Sequence, residues 1–260
     1  MATRADAATG SYSGFENTRF FLIIAIIMSM LIVTGFSLQA ILGRSSFDAA
    51  WPFHMHGLIF MSWTGLYLAQ HVTISSGNHA LHAKLGKVAY VFIPAMLAAG
   101  GLIMMVSMRT NGGPFFFAIN EFFLGNLAVL LCFGGLAFAA LRSRRNIGWH
   151  RRLMLCSMAV LTGPAIGRLL PLPLVIPYSW IIATTPCLIF PVIGMLADKR
   201  TRGAIHPAYW WGAGSYTAAL AAAFALSYTP LGYALTEWAI AGTPGAERPM
   251  EAFLPPGFAL

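Results

Sequence analysis

The chain is built from long apolar runs almost free of charge, at residues 20–42, 51–72, 85–108, 115–141, 150–170, 175–197 and 208–229. Each matches the roughly 20 apolar residues that a helix needs to cross a bilayer. Charged types make up 9% of the 260 residues, against roughly 25% in ordinary soluble domains. So few charges cannot clothe a soluble surface. The pattern predicts an all-α, polytopic membrane helical bundle of about seven transmembrane helices.

Local signals support these boundaries. Asn17 suits an N-cap for the first run, and Pro52 suits an early position in the second. The turn Asn111-Gly112-Gly113-Pro114 closes the third. Pro177, Pro186 and Pro191 predict a kinked sixth span, which neighbouring helices can accommodate in a membrane. Trp210 and Trp211 mark a membrane–water boundary. The first run is too long for the core of a cleaved leader, and no small-residue cleavage pattern follows it, so it is expected to be retained.

Net charge is +8, from 16 Lys+Arg and 8 Asp+Glu. A nucleic-acid surface would need a basic face with interleaved aromatics; here the cations stand in clusters between apolar runs. With alternating spans, one side receives Arg4, Arg19, Lys84, Lys87, Arg142, Arg144, Arg145, Arg151, Arg152, Lys199, Arg200 and Arg202. The other receives Arg44, Arg109, Arg168 and Arg248. Cytoplasmic loops carry the excess of Lys and Arg. The expected layout is a cytoplasmic segment 1–19, a transmembrane domain 20–229 and an external tail 230–260 that crosses the bundle mouth. Such a layout belongs in a bacterial inner membrane, with the bilayer as first partner. The basic side can also attract anionic head groups.

Cys132, Cys156 and Cys187 lie inside apolar runs without a disulfide or zinc spacing, and read as buried apolar residues. Phosphate loops, nucleophile elbows and His-Glu-x-x-His motifs are absent. Histidine is the informative type. His54 and His56 fall near the outer end of the second span and His71 near its inner end, about 25 Å away at 1.5 Å per residue. His79, His82 and His150 fall on the inner side. The third and fifth spans run the same way, which sets His82 and His150 at matching depth. Two imidazoles so placed suit axial ligation of a haem iron; the alternative sets both among head groups.

On the outer side, His56, Glu121 and Arg168 fall at similar depth, with His54 two residues nearer the helix start and facing another way. Ionisable groups inside a membrane mark a functional site by default, and a structural Glu121–Arg168 pair is the competing reading. His56, Trp63, Tyr67 and Gln70 form the inward stripe of the second span. Gly125, Gly135 and Ala139 suit close helix contacts.

Two resemblances follow from these residues. The run His54-Met-His56-Gly57, then Trp63, Gln70 and His79-Ala-Leu-His82-Ala-Lys-Leu-Gly86, with Trp149-His150-Arg-Arg-Leu-Met154 and Pro164-Ala-Ile-Gly-Arg168, resembles an uncharacterised family of bacterial multi-pass membrane proteins. The histidine layout is similar to b-type cytochrome bundles of the transmembrane ferric reductases, in which four consecutive spans each give one histidine. That resemblance implies His82 and His150 as an inner haem b pair. It implies no outer haem, because the fourth span offers Glu121 where a histidine would stand. The expected function is haem-linked electron transfer to or from quinone. The alternative is a non-catalytic subunit of a membrane complex, or a lipid-binding or small-molecule carrier without haem.

Overall fold

The computed structural model describes residues 18–43 and 48–258. Asn17, Arg4 and Arg44 lie outside them, as does nearly all of the segment 1–19. The described chain is helical. Its elements are α1 Thr18–Ile41, α2 Trp51–Ser75, α3 His79–Gly86, α4 Ala89–Asn111, α5 Ile119–Arg142, α6 Ile147–Leu169, α7 Ser179–Thr184, α8 Ile189–Arg202, α9 Pro207–Ser227 and α10 Pro230–Ile240.

Four segments are long and apolar enough to cross a membrane: α1, α4, α5 and the broken helix Ser179–Arg202. A fifth arises if α9 and α10, bent by 83°, count together. By length and composition these helices are compatible with a multi-pass membrane protein. Helices α2 and α6 have the length, 25 and 23 residues, but lack the hydropathy. The cause is chemical: α2 carries His54, His56, Gln70 and His71, and α6 carries His150, Arg151, Arg152 and Arg168.

Helix α6 is the bundle's centre. Every residue from Leu155 to Gly163 is buried, which a helix enclosed on all sides requires. It lies against α1, α5, α9 and the α7–α8 segment. Close approach to α1 depends on Gly35: a Cβ there would stand 2.6 Å from the Ala165 carbonyl oxygen. The core around them includes Met28, Ile93, Phe133, Met158 and Tyr209, all essentially inaccessible.

Contacts between helix ends gather the basic clusters at one end of the bundle. There Arg151 lies over Phe21 of α1 at 4.9 Å, and Arg144 donates to Tyr90 of α4 at 2.5 Å. Trp149 meets His206 before α9 at 5.5 Å. At the opposite end Gln39 of α1 donates to the Arg168 carbonyl of α6 at 2.9 Å, and Arg109 of α4 donates to Ala239 of α10 at 3.3 Å.

Several expectations change in detail. The third run starts later, at Ala89, because His79–Gly86 forms its own short helix capped by Asn78, which accepts from Leu81 N–H at 3.0 Å. The proline-rich sixth run becomes helical only at Ser179, after a 3₁₀ turn at Leu172–Val175, and is broken by a second 3₁₀ turn at Thr185–Leu188 rather than merely kinked. Residues 230–240 form α10, so the tail begins as a helix. Its remainder lies across the end of the bundle opposite the basic clusters: Ile119 N–H donates to Met250 C=O at 2.8 Å, and Phe253 N–H to Phe115 C=O at 3.0 Å.

Candidate functional site

Three imidazoles gather at the basic end. His71 stands in the last turns of α2, His82 on α3 and His150 in the first turn of α6. The rings of His82 and His150 have centroids 6.4 Å apart and planes at 83°. His71 lies near both, tilted against Tyr67 with centroids 4.5 Å apart. The matched depth expected for His82 and His150 is thus realised as contact, and His71 joins them.

Hydrogen bonds set the tautomers. His71 Nδ1 meets the Tyr67 carbonyl at 2.9 Å and His150 Nδ1 meets the Ala140 carbonyl at 2.8 Å. A carbonyl only accepts, so both Nδ1 atoms carry the proton and both Nε2 atoms keep a lone pair. His82 is governed by Gln70. With its amide oxygen accepting from Gly86 N–H at 2.7 Å, Gln70 donates to the His82 carbonyl at 3.1 Å and to His82 Nδ1 at 2.7 Å. The Gln70 backbone carbonyl lies 3.3 Å from the same Nδ1. Burial, ahead of the opposing hydrogen bond from Gln70, holds the His82 imidazole below its ordinary pKa and therefore neutral.

Among the described residues no group of three or more His, Cys, Asp or Glu side chains is arranged to hold a metal ion. The cluster is therefore a two-ligand arrangement at most. An iron bound by two imidazole nitrogens at about 2 Å each separates the ring centres by roughly 6–6.5 Å, and His82 and His150 fit that spacing. When bound, a haem would supply one-electron transfer.

The outer residues do not form one site. Glu121, buried in the first turn of α5, accepts from Tyr228 Oη at 2.5 Å. Its neighbour Asn120 donates to Ser227 C=O at 2.8 Å. Both therefore clasp the elbow between α9 and α10. Arg168 turns the other way, donating to Pro164 C=O at 2.9 Å and lying 4.1 Å over Phe36 of α1. Glu121 and Arg168 do not pair; among the described residues Arg152 and Arg202 both meet Asp198. His56 lies tilted against Phe60 with centroids 4.2 Å apart and close to Arg168, while His54 is exposed in the first turn of α2. The outer group thus divides into His56–Arg168 between α1, α2 and α6, and Glu121–Tyr228 between α5 and α9.

The inward stripe of α2 is present. Trp63 and Tyr67 are buried, with Trp63 edge-on to Phe133 at 5.6 Å. His56 Nδ1, Trp63 Nε1 and Tyr67 Oη are buried atoms without a protein partner, which a polar internal path or ordered water would satisfy.

One strong feature was hidden in the sequence. Arg152, assigned to the basic side, is fully buried. Its Nε and Nη2 donate to the two oxygens of Asp198 at 2.8 and 2.5 Å. Asp198 also accepts from His206 N–H at 3.2 Å. The sequence signal was available: Asp198 is one of eight acidic residues and sits at the end of an apolar run.

Comparison with known proteins finds no matching family model, no matching curated protein and no matching solved structure.

Proposed function

We propose that this chain is a multi-pass protein of a bacterial inner membrane that carries electrons through a haem b held by His82 and His150, with quinone as its redox partner. Seven crossings, with the basic end cytoplasmic and the C-terminus external, accommodate α1, α2, α4, α5, α6, the broken α7–α8 helix and α9. The gathering of the basic clusters at one end supports this orientation.

The observation that carries the reading is the pair of neighbouring imidazoles, 6.4 Å between centroids, on separate elements. The Ala140 and Gln70 carbonyls face Nδ1 of the two rings at 2.8 and 3.3 Å, the kind of outer partner that ligating histidines use. Tyr67, Trp63 and His56 leave buried polar atoms unpartnered along α2, which ordered water would satisfy.

The test is an absorbance spectrum and metal analysis of the purified protein. A Soret band that disappears in His82→Ala and in His150→Ala, but persists in His54→Ala, is the expected result. A colourless, iron-free preparation overturns it and leaves a non-catalytic membrane subunit or a carrier without haem.

A further inference from the structure

A cavity of about 290 Å³ opens on the side of the bundle where α5, α6 and α9 meet. Gly135 and Ala139 of α5, Trp149 and Leu153 of α6, and Trp211 and Ser215 of α9 line it. The small residues here do not serve helix contact. At Gly125 an added Cβ would stand 2.2 Å from Trp180, as a close helix approach demands, whereas at Gly135 it would meet nothing within 4 Å. Gly135 and Ala139 are both exposed. They floor an open groove.

The groove's size limits its occupant. Its volume sits at the lower edge of the roughly 300–1,000 Å³ found for small-ligand sites, and a helix about 10–12 Å across would not enter it. Its setting adds chemistry. Arg142 continues the Gly135–Ala139 stripe at the next helical step and is exposed, and exposed Arg145 follows in the turn. Arg144 is turned away to Tyr90 on α4. Trp149 and Trp211 stand at the rim, the residue type enriched at the membrane–water boundary. An apolar slot, an aromatic rim and two cations at one end complement an anionic amphiphile.

We propose that this groove binds one anionic phospholipid from the leaflet on the basic side, an acyl chain lying along Gly135 and Ala139 and the phosphate meeting Arg142 and Arg145. The inference rests on the membrane reading of the chain and is independent of haem.

The full-length protein, purified from membranes and equilibrated with mixed vesicles of equal phosphatidylglycerol and phosphatidylcholine, is examined by native mass spectrometry. Wild type is expected to retain one phosphatidylglycerol. The R142Q/R145Q variant lowers the retained phosphatidylglycerol-to-phosphatidylcholine ratio by about fivefold per arginine, the weight of one basic residue near an anionic surface. Gly135→Leu fills the groove and abolishes retention of either lipid. Because its Cβ meets no atom, its melting temperature stays within a few degrees of wild type, which separates groove filling from misfolding.

Equal retention of the two lipids, undiminished retention in Gly135→Leu, or no retained lipid overturns the proposal. So does a wild-type dimer that Gly135→Leu converts to monomer, which would make the groove an interface between copies. Release of the protein from membranes by an alkaline wash overturns the membrane reading as well; a protein that stays in membranes but retains no phosphatidylglycerol overturns the groove alone.

Discussion

Arg152 and Asp198, 46 residues apart, form a two-bond ion pair inside the bundle, with the guanidinium fully buried and the carboxylate nearly so. It joins the second turn of α6 to the C-terminal half of α8. A second cation, Arg202, approaches the same carboxylate at 3.9 Å, and Arg152 also donates to Gly148 C=O at 3.1 Å.

Removing one partner leaves the other buried and uncompensated, which costs roughly 3–5 kcal/mol, whereas replacing both by apolar residues of similar volume is often neutral. Arg152→Met and Asp198→Leu are each expected to lower thermal stability in detergent strongly, and the double variant to recover most of the loss. A double variant that loses the sum of the two singles would contradict this account.

Stability should also depend on His206. Its imidazole is pushed from an ordinary 6.5 down to about 4, first by burial and then by the charges of Arg152 and Arg202, with Asp198 opposing them. The unfolded chain thus binds a proton that the folded protein refuses. This contribution is intact above about pH 6.5 and is lost as the pH falls toward about 4. His206 Nδ1 also accepts from Ala208 N–H at 3.1 Å, capping α9, a duty that asparagine can perform. Melting curves of His206→Asn measured from pH 7 to 4 should fall less steeply than those of wild type; parallel curves would refute the assignment.

Tyr228→Phe removes the hydroxyl that donates to buried Glu121. An unsatisfied buried acceptor costs about 1–3 kcal/mol, more when charged. The variant should melt earlier, and Glu121→Gln should lose less because an amide still offers tyrosine an oxygen. Limited proteolysis at the α9–α10 elbow, faster in Tyr228→Phe than in wild type, reads the same effect.

The crossing segment after α10 hangs on Arg248. Its guanidinium donates to the carbonyls of Gly112 and Gly113 at 2.5 and 2.9 Å, and also to that of Phe117. Arg248→Ala strips several charge-assisted bonds at once, each worth about 1.5–3 kcal/mol. Hydrogen exchange at the Ile119 and Phe253 amides, which bond across this junction, is expected to accelerate at least tenfold. Unchanged protection would mean that the aromatic contacts of Phe115 with Phe253 and Phe258 hold the segment alone.

Helix type and placement were legible because apolar runs and their polar breaks are local properties. The runs at 20–42 and 208–229 fall within two residues of α1 and α9. Breaks inside the proline-rich run were less legible, since Pro177, Pro186 and Pro191 permit a kink as readily as a 3₁₀ turn. Depth along a helix placed His82 beside His150, because both precede spans that run the same way. Rotation about the helix axis was beyond the same reasoning: it turned Glu121 to Tyr228 and Arg168 to Phe36, although their depths agree. The Arg152–Asp198 pair was concealed for a related reason, as Arg151 and Arg152 look alike in sequence while only the second is fully buried.

The distance in chain between Arg152 and Asp198 bears on how the bundle is assembled during synthesis. A nascent chain emerges N-terminus first, so α6 is complete some thirty residues before its counter-ion exists. Until α8 arrives, the central helix carries a naked guanidinium that no hydrocarbon setting would accept. Closure of the centre must therefore wait for the end of α8, with only α9 still to follow among the elements around α6.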